Sequence, residues 1–128
     1  MHCNYKLRDW VQIERLDWSA LSINPKAIQL LETNLDKVNW AYLSRNLNAV
    51  HILEKNIDKI NWCMLSLNPN AIRILEKNIH NPNVSWGNLS QNRNAIRILE
   101  KNIDKIDWMM LSQNTAAIHI LENNLERS

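Results

Sequence analysis

Residues 62–85 read WCMLSLNPNAIRILEKNIHNPNVS, and the chain rewrites that passage four more times. The other versions are WSALSINPKAIQLLETNLDKVN at 18–39, WAYLSRNLNAVHILEKNIDKIN at 40–61, WGNLSQNRNAIRILEKNIDKID at 86–107 and WMMLSQNTAAIHILENNLERS at 108–128. Trp18, Trp40, Trp62, Trp86 and Trp108 set the period, with spacings of 22, 22, 24 and 22 residues. Self-similarity at such a period marks an array of stacked units, each unable to bury its apolar face alone. The longer unit takes its insertion at His80-Asn81-Pro82-Asn83, where Pro and Asn mark a loop that absorbs extra residues.

Each unit reads as two short helices. Asp17, Asn39, Asn61, Ser85 and Asp107 precede the Trp, and each carries an oxygen that accepts from a free first-turn N–H. Leu16, Val38, Ile60, Val84 and Ile106 stand before the caps, with Leu21, Leu43, Leu65, Leu89 and Leu111 four positions after them, the spacing of a hydrophobic staple. Asn24, Asn46, Asn68, Asn92 and Asn114 read as second N-caps, with Pro25 and Pro69 at the first helical position, where a missing N–H costs nothing. The second helix is then expected to run about ten residues. It should end at Asn34, Asn56, Asn78, Asn102 or Asn124 in the left-handed conformation that Gly usually supplies.

These patterns predict an all-α fold, an α-solenoid of five short helical-hairpin repeats forming a single domain over 1–128. Residues 1–17, with Leu7, Trp10, Val11 and Ile13, read as an N-terminal half-repeat that caps the first unit. The Trp column is expected in the core, beside the staple. The recurrent Glu32, Glu54, Glu76, Glu100 and Glu122 are opposed by the helix dipole, so a regular partner is expected, either Arg73 and Arg97 at i−3 or a Lys of a neighbouring unit.

Composition excludes several classes. No apolar run approaches the roughly 20 residues of a membrane-spanning helix, and the charged N-terminal segment lacks the apolar stretch of a secretory signal, so an intracellular protein is expected. Cys3 and Cys63 form neither a disulfide framework nor a zinc spacing. The sequons at Asn83 and Asn88 would need a secretory route, and read as accidents of an Asn-rich chain. His2, His51, His80 and His119 have no partners at ligand spacing, so neither a metal nor any other cofactor is expected. No nucleophile, base and orienting group assemble, so the reading is non-enzymatic. A net charge of +2 does not by itself imply a polyanion partner.

The unit NPNAIRILEKN followed by DKI(N/D)WxxLS resembles the short Asn- and Trp-containing repeats in proteins of giant DNA viruses that infect amoebae and algae. The resemblance spans residues 16–125, and this chain departs from the pattern at the third unit's insertion and at Leu47, Arg93 and Thr115, where Pro is missing. It implies a viral protein acting in the cytoplasm or nucleus of an infected cell, and supplies no catalytic residue.

What the scaffold leaves open is a polar stripe on the second helices. Asn48, His51 and Lys55, Asn70, Arg73 and Lys77, and Asn94, Arg97 and Lys101 share one helical face in successive units. The leading expectation is a non-catalytic interaction scaffold that presents this band to a protein partner. The alternative is nucleic-acid binding through its cations, weakened by interleaved glutamates and by the lack of an exposed aromatic series. The last unit carries Met109 and Met110 after its Trp and Leu125 after its second helix, an adaptable apolar surface expected to support a homodimer.

Overall fold

The computed structural model describes residues 12–125, and the capping role expected of Leu7, Trp10 and Val11 lies outside them. Every regular element among the described residues is helical. Each repeat contributes two short helices: α1 (Trp18–Ile23) and α2 (Ile28–Glu32), α3 (Trp40–Ser44) and α4 (Val50–Glu54), α5 (Trp62–Leu65) and α6 (Ile72–Lys77), α7 (Trp86–Gln91) and α8 (Ile96–Glu100), α9 (Trp108–Leu111) and α10 (Ile118–Asn124). One-turn 3-10 segments at Leu35–Lys37, Ile57–Lys59 and Ile103–Lys105 link most repeats, and another, Ile13–Arg15, precedes α1. In the third repeat the inserted residues replace that segment with two turns, closed by Asn81 N–H to Asn78 O at 2.9 Å and Val84 N–H to Asn81 O at 3.1 Å. The chain divides into two compact units between Ile60 and Asn61. Within the first α1 packs on α3, and within the second α7 packs on α9.

The first helix of each repeat starts where the sequence places it. Asp17, Asn39, Asn61, Ser85 and Asp107 accept from the N–H of Ala20, Tyr42, Met64, Asn88 and Met110, three residues on. The residues before four of these caps, Val38, Ile60, Val84 and Ile106, are buried. Helices of four to seven residues are far too short to persist alone. Burial holds them: Leu31, Leu43, Leu53, Leu65, Leu75, Leu89, Leu99 and Leu111 have no solvent exposure, and each such side chain contributes roughly 1.5–3 kcal/mol.

The second helix departs from expectation at both ends. Asn24, Asn46, Asn68, Asn92 and Asn114 are not its N-caps, and Pro25 and Pro69 are not its first residues. The helix opens three residues later, behind Ala27, Ala49, Ala71, Ala95 and Ala117. Each Asn instead heads a turn, accepting from the N–H two residues on (2.9–3.0 Å), and its carbonyl takes the Ala N–H. The Pro sits second in that turn, where its fixed φ is equally at home. At the other end no described residue has positive φ, so the left-handed reading of Asn34 and its counterparts is wrong. Their side-chain amides donate back to the carbonyl four residues earlier: Asn34 to Leu30 at 2.9 Å, Asn56 to Ile52, Asn78 to Ile74 and Asn102 to Ile98 each at 2.8 Å, and Asn124 to Ile120 at 2.7 Å. A side-chain donor thus satisfies an orphan carbonyl of the last turn without any unusual backbone.

The recurrent polar residues of the interior join one repeat to the next. Ser22 Oγ donates to Trp18 O and accepts the N–H of Asn39 at 2.9 Å. Ser66 and Ser90 repeat the arrangement with Ser85 and Asp107 N–H, both at 3.0 Å. Asn46 Nδ2 donates to Ser22 O and Asn24 O, Asn92 Nδ2 to Ser66 O and Asn68 O, and Asn114 Nδ2 to Ser90 O and Asn92 O, at 2.9–3.2 Å. These Ser and Asn are fully or nearly fully buried, and no buried side-chain polar atom among the described residues lacks a partner. A satisfied interior ladder stabilises the stack, whereas a half-satisfied one would oppose it.

The Trp column is only partly core. Trp62 is 8% exposed, Trp18, Trp40 and Trp86 are half-buried, and Trp108 is 38% exposed. Trp18 Nε1 donates to Ile13 O at 3.0 Å. Lys59 Nζ lies 5.8 Å from the centre of the Trp40 ring and Lys105 Nζ 5.4 Å from that of Trp86, within cation–π range.

Candidate functional site

Two surfaces qualify: the helical stripe that periodicity picks out, and a groove along the loops between the paired helices. On the stripe, Asn48, His51 and Lys55 of the first unit and Asn70, Arg73, Lys77, Asn94, Arg97 and Lys101 of the second are all exposed. They do not all stay available. Asn48 Nδ2 donates to Pro25 O at 2.9 Å and Asn94 Nδ2 to Pro69 O at 2.8 Å, a second tie between consecutive repeats outside the buried ladder. His51 Nε2 lies 2.9 Å from Glu32 Oε1, joining α4 to α2.

The Lys of a neighbouring repeat expected for the glutamate column is not found among the described residues; at the one described glutamate that is paired, the partner is His51. The i−3 pairs expected between Arg73 and Glu76 and between Arg97 and Glu100 are not within ion-pair distance. Both arginines are exposed, and water solvates their charge more cheaply than two long side chains held in one geometry. Arg73, Lys77, Arg97 and Lys101 therefore stand as solvated cations on α6, α8 and the residue that ends α8, beside exposed Glu76 and Glu100. Among the described residues no three His, Cys, Asp or Glu side chains gather closely enough to hold a metal ion. None of their helices is long and apolar enough to cross a membrane.

The second surface lies within the second unit. Leu67, Pro69, Gln91, Arg93, Gln113 and Thr115 flank a concavity of about 270 Å3, whose floor carries Asn92 and Asn114 of the buried ladder. The walls are the residues immediately before and after the ladder Asn in three consecutive repeats. Sequence reasoning passed over them, although a signal was present. Between invariant Ser, Asn and Ala columns these two positions vary, running Ile23, Arg45, Leu67, Gln91 and Gln113 before the Asn and Pro25, Leu47, Pro69, Arg93 and Thr115 after it, so that no two repeats carry the same pair.

No family model, curated protein or solved structure matches this chain. Its chemistry is therefore read from its own side chains. Of the apolar residues expected to mediate self-association, Met109 is 76% exposed, Leu125 is 69% exposed and Met110 is half-buried against Gln91, whose Nε2 lies 3.1 Å from the Met110 Sδ. Trp108 and Ile118 of the same repeat are also exposed.

Proposed function

We propose that this chain is a non-catalytic protein-interaction scaffold, and, on the resemblance of its repeats, a viral protein acting inside the infected host cell. One observation carries the scaffold reading. The buried Ser and Asn that recur in the repeats are engaged in holding helices and repeats together, whereas the polar stripe of the second helices faces solvent. In a repeat array, stacked units present continuous exposed surfaces, and recognition falls to the side chains that the stack does not use. On this reading the band of Arg73, Lys77, Arg97 and Lys101 meets an acidic protein surface.

A second reading, nucleic-acid binding, draws on the same four cations, none of which is within ion-pair distance of a described carboxylate. Exposed Glu76 and Glu100 weigh against it by repelling phosphate. A photo-crosslinking amino acid in place of Arg97, irradiated in an amoebal extract, is expected to give a discrete protein adduct that disappears on adding Arg73→Glu and Lys77→Glu. Absence of any adduct, together with binding of random single-stranded RNA that collapses between roughly 50 and 200 mM salt, overturns the scaffold reading in favour of the second.

A further inference from the structure

We infer that the loop-edge groove of the second unit binds an extended peptide segment bearing a carboxylate three residues from an apolar side chain. This deepens the scaffold reading, on which it rests, by naming a second face and the chemistry of its partner.

The shape of the groove selects the backbone conformation. The groove spans three repeats but encloses only about 270 Å3. A helix with side chains, about 10–12 Å across, is far too bulky for that space, whereas an extended chain laid along it can seat successive side chains. The floor offers no recognition of its own. Asn92 and Asn114 are 3% and 4% exposed, their amide hydrogens are held by carbonyls of the preceding repeat, and their oxygens accept from Asn94 and Ala116 N–H. Recognition therefore falls to the walls.

The walls change character in order along the groove. Leu67 and Pro69 form an apolar first step, Gln91 and Arg93 a cationic second step, and Gln113 and Thr115 a neutral polar third step. Arg93 is exposed and is not within ion-pair distance of a described carboxylate, and it is the groove's only charged lining residue. A guanidinium in that position favours a carboxylate, which it can grip through two parallel N–H bonds. Gln113 has donor and acceptor atoms suited to a peptide backbone.

The spacing of the steps sets the register. Neighbouring helix layers lie about 8–10 Å apart, and an extended chain rises about 3.3 Å per residue, so one repeat matches about three peptide residues. An apolar side chain against Leu67 and Pro69 thus places the carboxylate three residues away, opposite Arg93. Separation of the complementary features by one repeat distinguishes this site from a general attraction of a basic patch for acidic chains.

The test pans the full chain against a random linear-peptide display library and measures the enriched peptides by fluorescence polarisation. Enriched sequences should carry Asp or Glu three residues from an apolar residue. Arg93→Glu should weaken them at least about tenfold, and exchanging the peptide acid for Lys should restore binding to that variant. Arg97→Glu, on the helical stripe, should change affinity less than about threefold. Arg93 is exposed, so the variant is expected to keep the parent's melting temperature, which is checked first. Failure of any peptide to enrich, enrichment without an acid at that spacing, or binding indifferent to Arg93→Glu each overturns the inference. So does random RNA binding that depends on Arg93 while no peptide enriches. If the crosslinked adduct at position 97 persists through such a failure, the scaffold reading stands and the groove assignment alone falls.

Discussion

Replacing Asn92 by Ala measures what the buried ladder contributes. Asn92 is 3% exposed, donates to Ser66 O at 3.0 Å and Asn68 O at 3.2 Å, and accepts from Asn94 N–H at 3.0 Å. The variant loses all three bonds. Asn94 is exposed and water replaces its partner, but Ser66 and Asn68 are 0% and 1% exposed, so two carbonyls lose a donor out of reach of solvent. A buried group stripped of its partner costs about 1–3 kcal/mol; Asn68 O still accepts the Ala71 N–H at 3.1 Å, so that cost falls on Ser66 O and, with the lost turn bond, sets the loss near about 3 kcal/mol. Asn24 is the internal control: it occupies the same repeat position but is exposed and accepts the Lys26 N–H at the surface, so Asn24→Ala should cost about 1 kcal/mol. Guanidinium unfolding followed by far-UV circular dichroism gives both values. If the two variants agree within about 1 kcal/mol, the column acts through its local turn and the ladder argument fails. Asn92→Asp sharpens the test, because it keeps the acceptor and turns a carboxylate toward two carbonyl oxygens. Burial and those oxygens raise the folded-state pKa of the new carboxyl above its unfolded value. The protonated form supplies one donor, so that stability is present in acid and lost as pH rises through the raised pKa.

Trp62→Ala should destabilise by about 3–5 kcal/mol and Trp108→Ala by about 1–2 kcal/mol, since the first ring is 8% exposed and the second 38%; equal shifts in melting temperature would contradict the graded burial of the column. Gly87→Ala should stabilise by about 0.5–1 kcal/mol, because an added methyl meets Asp107 Oδ2 at 3.6 Å and Ser85 Oγ at 3.8 Å, ordinary contacts, and removes a flexible residue from α7. A lower melting temperature would show that the site is tighter than these distances. Self-association through the last repeat, proposed on the exposure of Met109 and Leu125, should appear as a dimer in light scattering at micromolar concentration and revert to monomer with Met109→Glu. A strictly monomeric parent refutes it.

The sequence by itself determined the features whose causes lie within one turn of chain. The first N-caps belong here, because Asp17, Asn39, Asn61, Ser85 and Asp107 reach amides only three residues away. So does the exposed stripe, because helical periodicity alone puts Arg73 and Lys77, or Arg97 and Lys101, on a common face. The helical-repeat fold was legible for the same reason, written five times over. Tertiary structure decided what the remaining asparagines do. The residue type at Asn46, Asn92 and Asn114 suits a cap, a turn or a ladder equally, and the partners that settle the choice are carbonyls 22–26 residues earlier. The length of the second helix followed from that choice, since a turn headed by Asn leaves the helix to start three residues later. The groove is more distant still from any single segment. Leu67, Gln91 and Gln113 are far apart in the chain, and they share a wall because the loops that carry them are stacked by bonds between repeats.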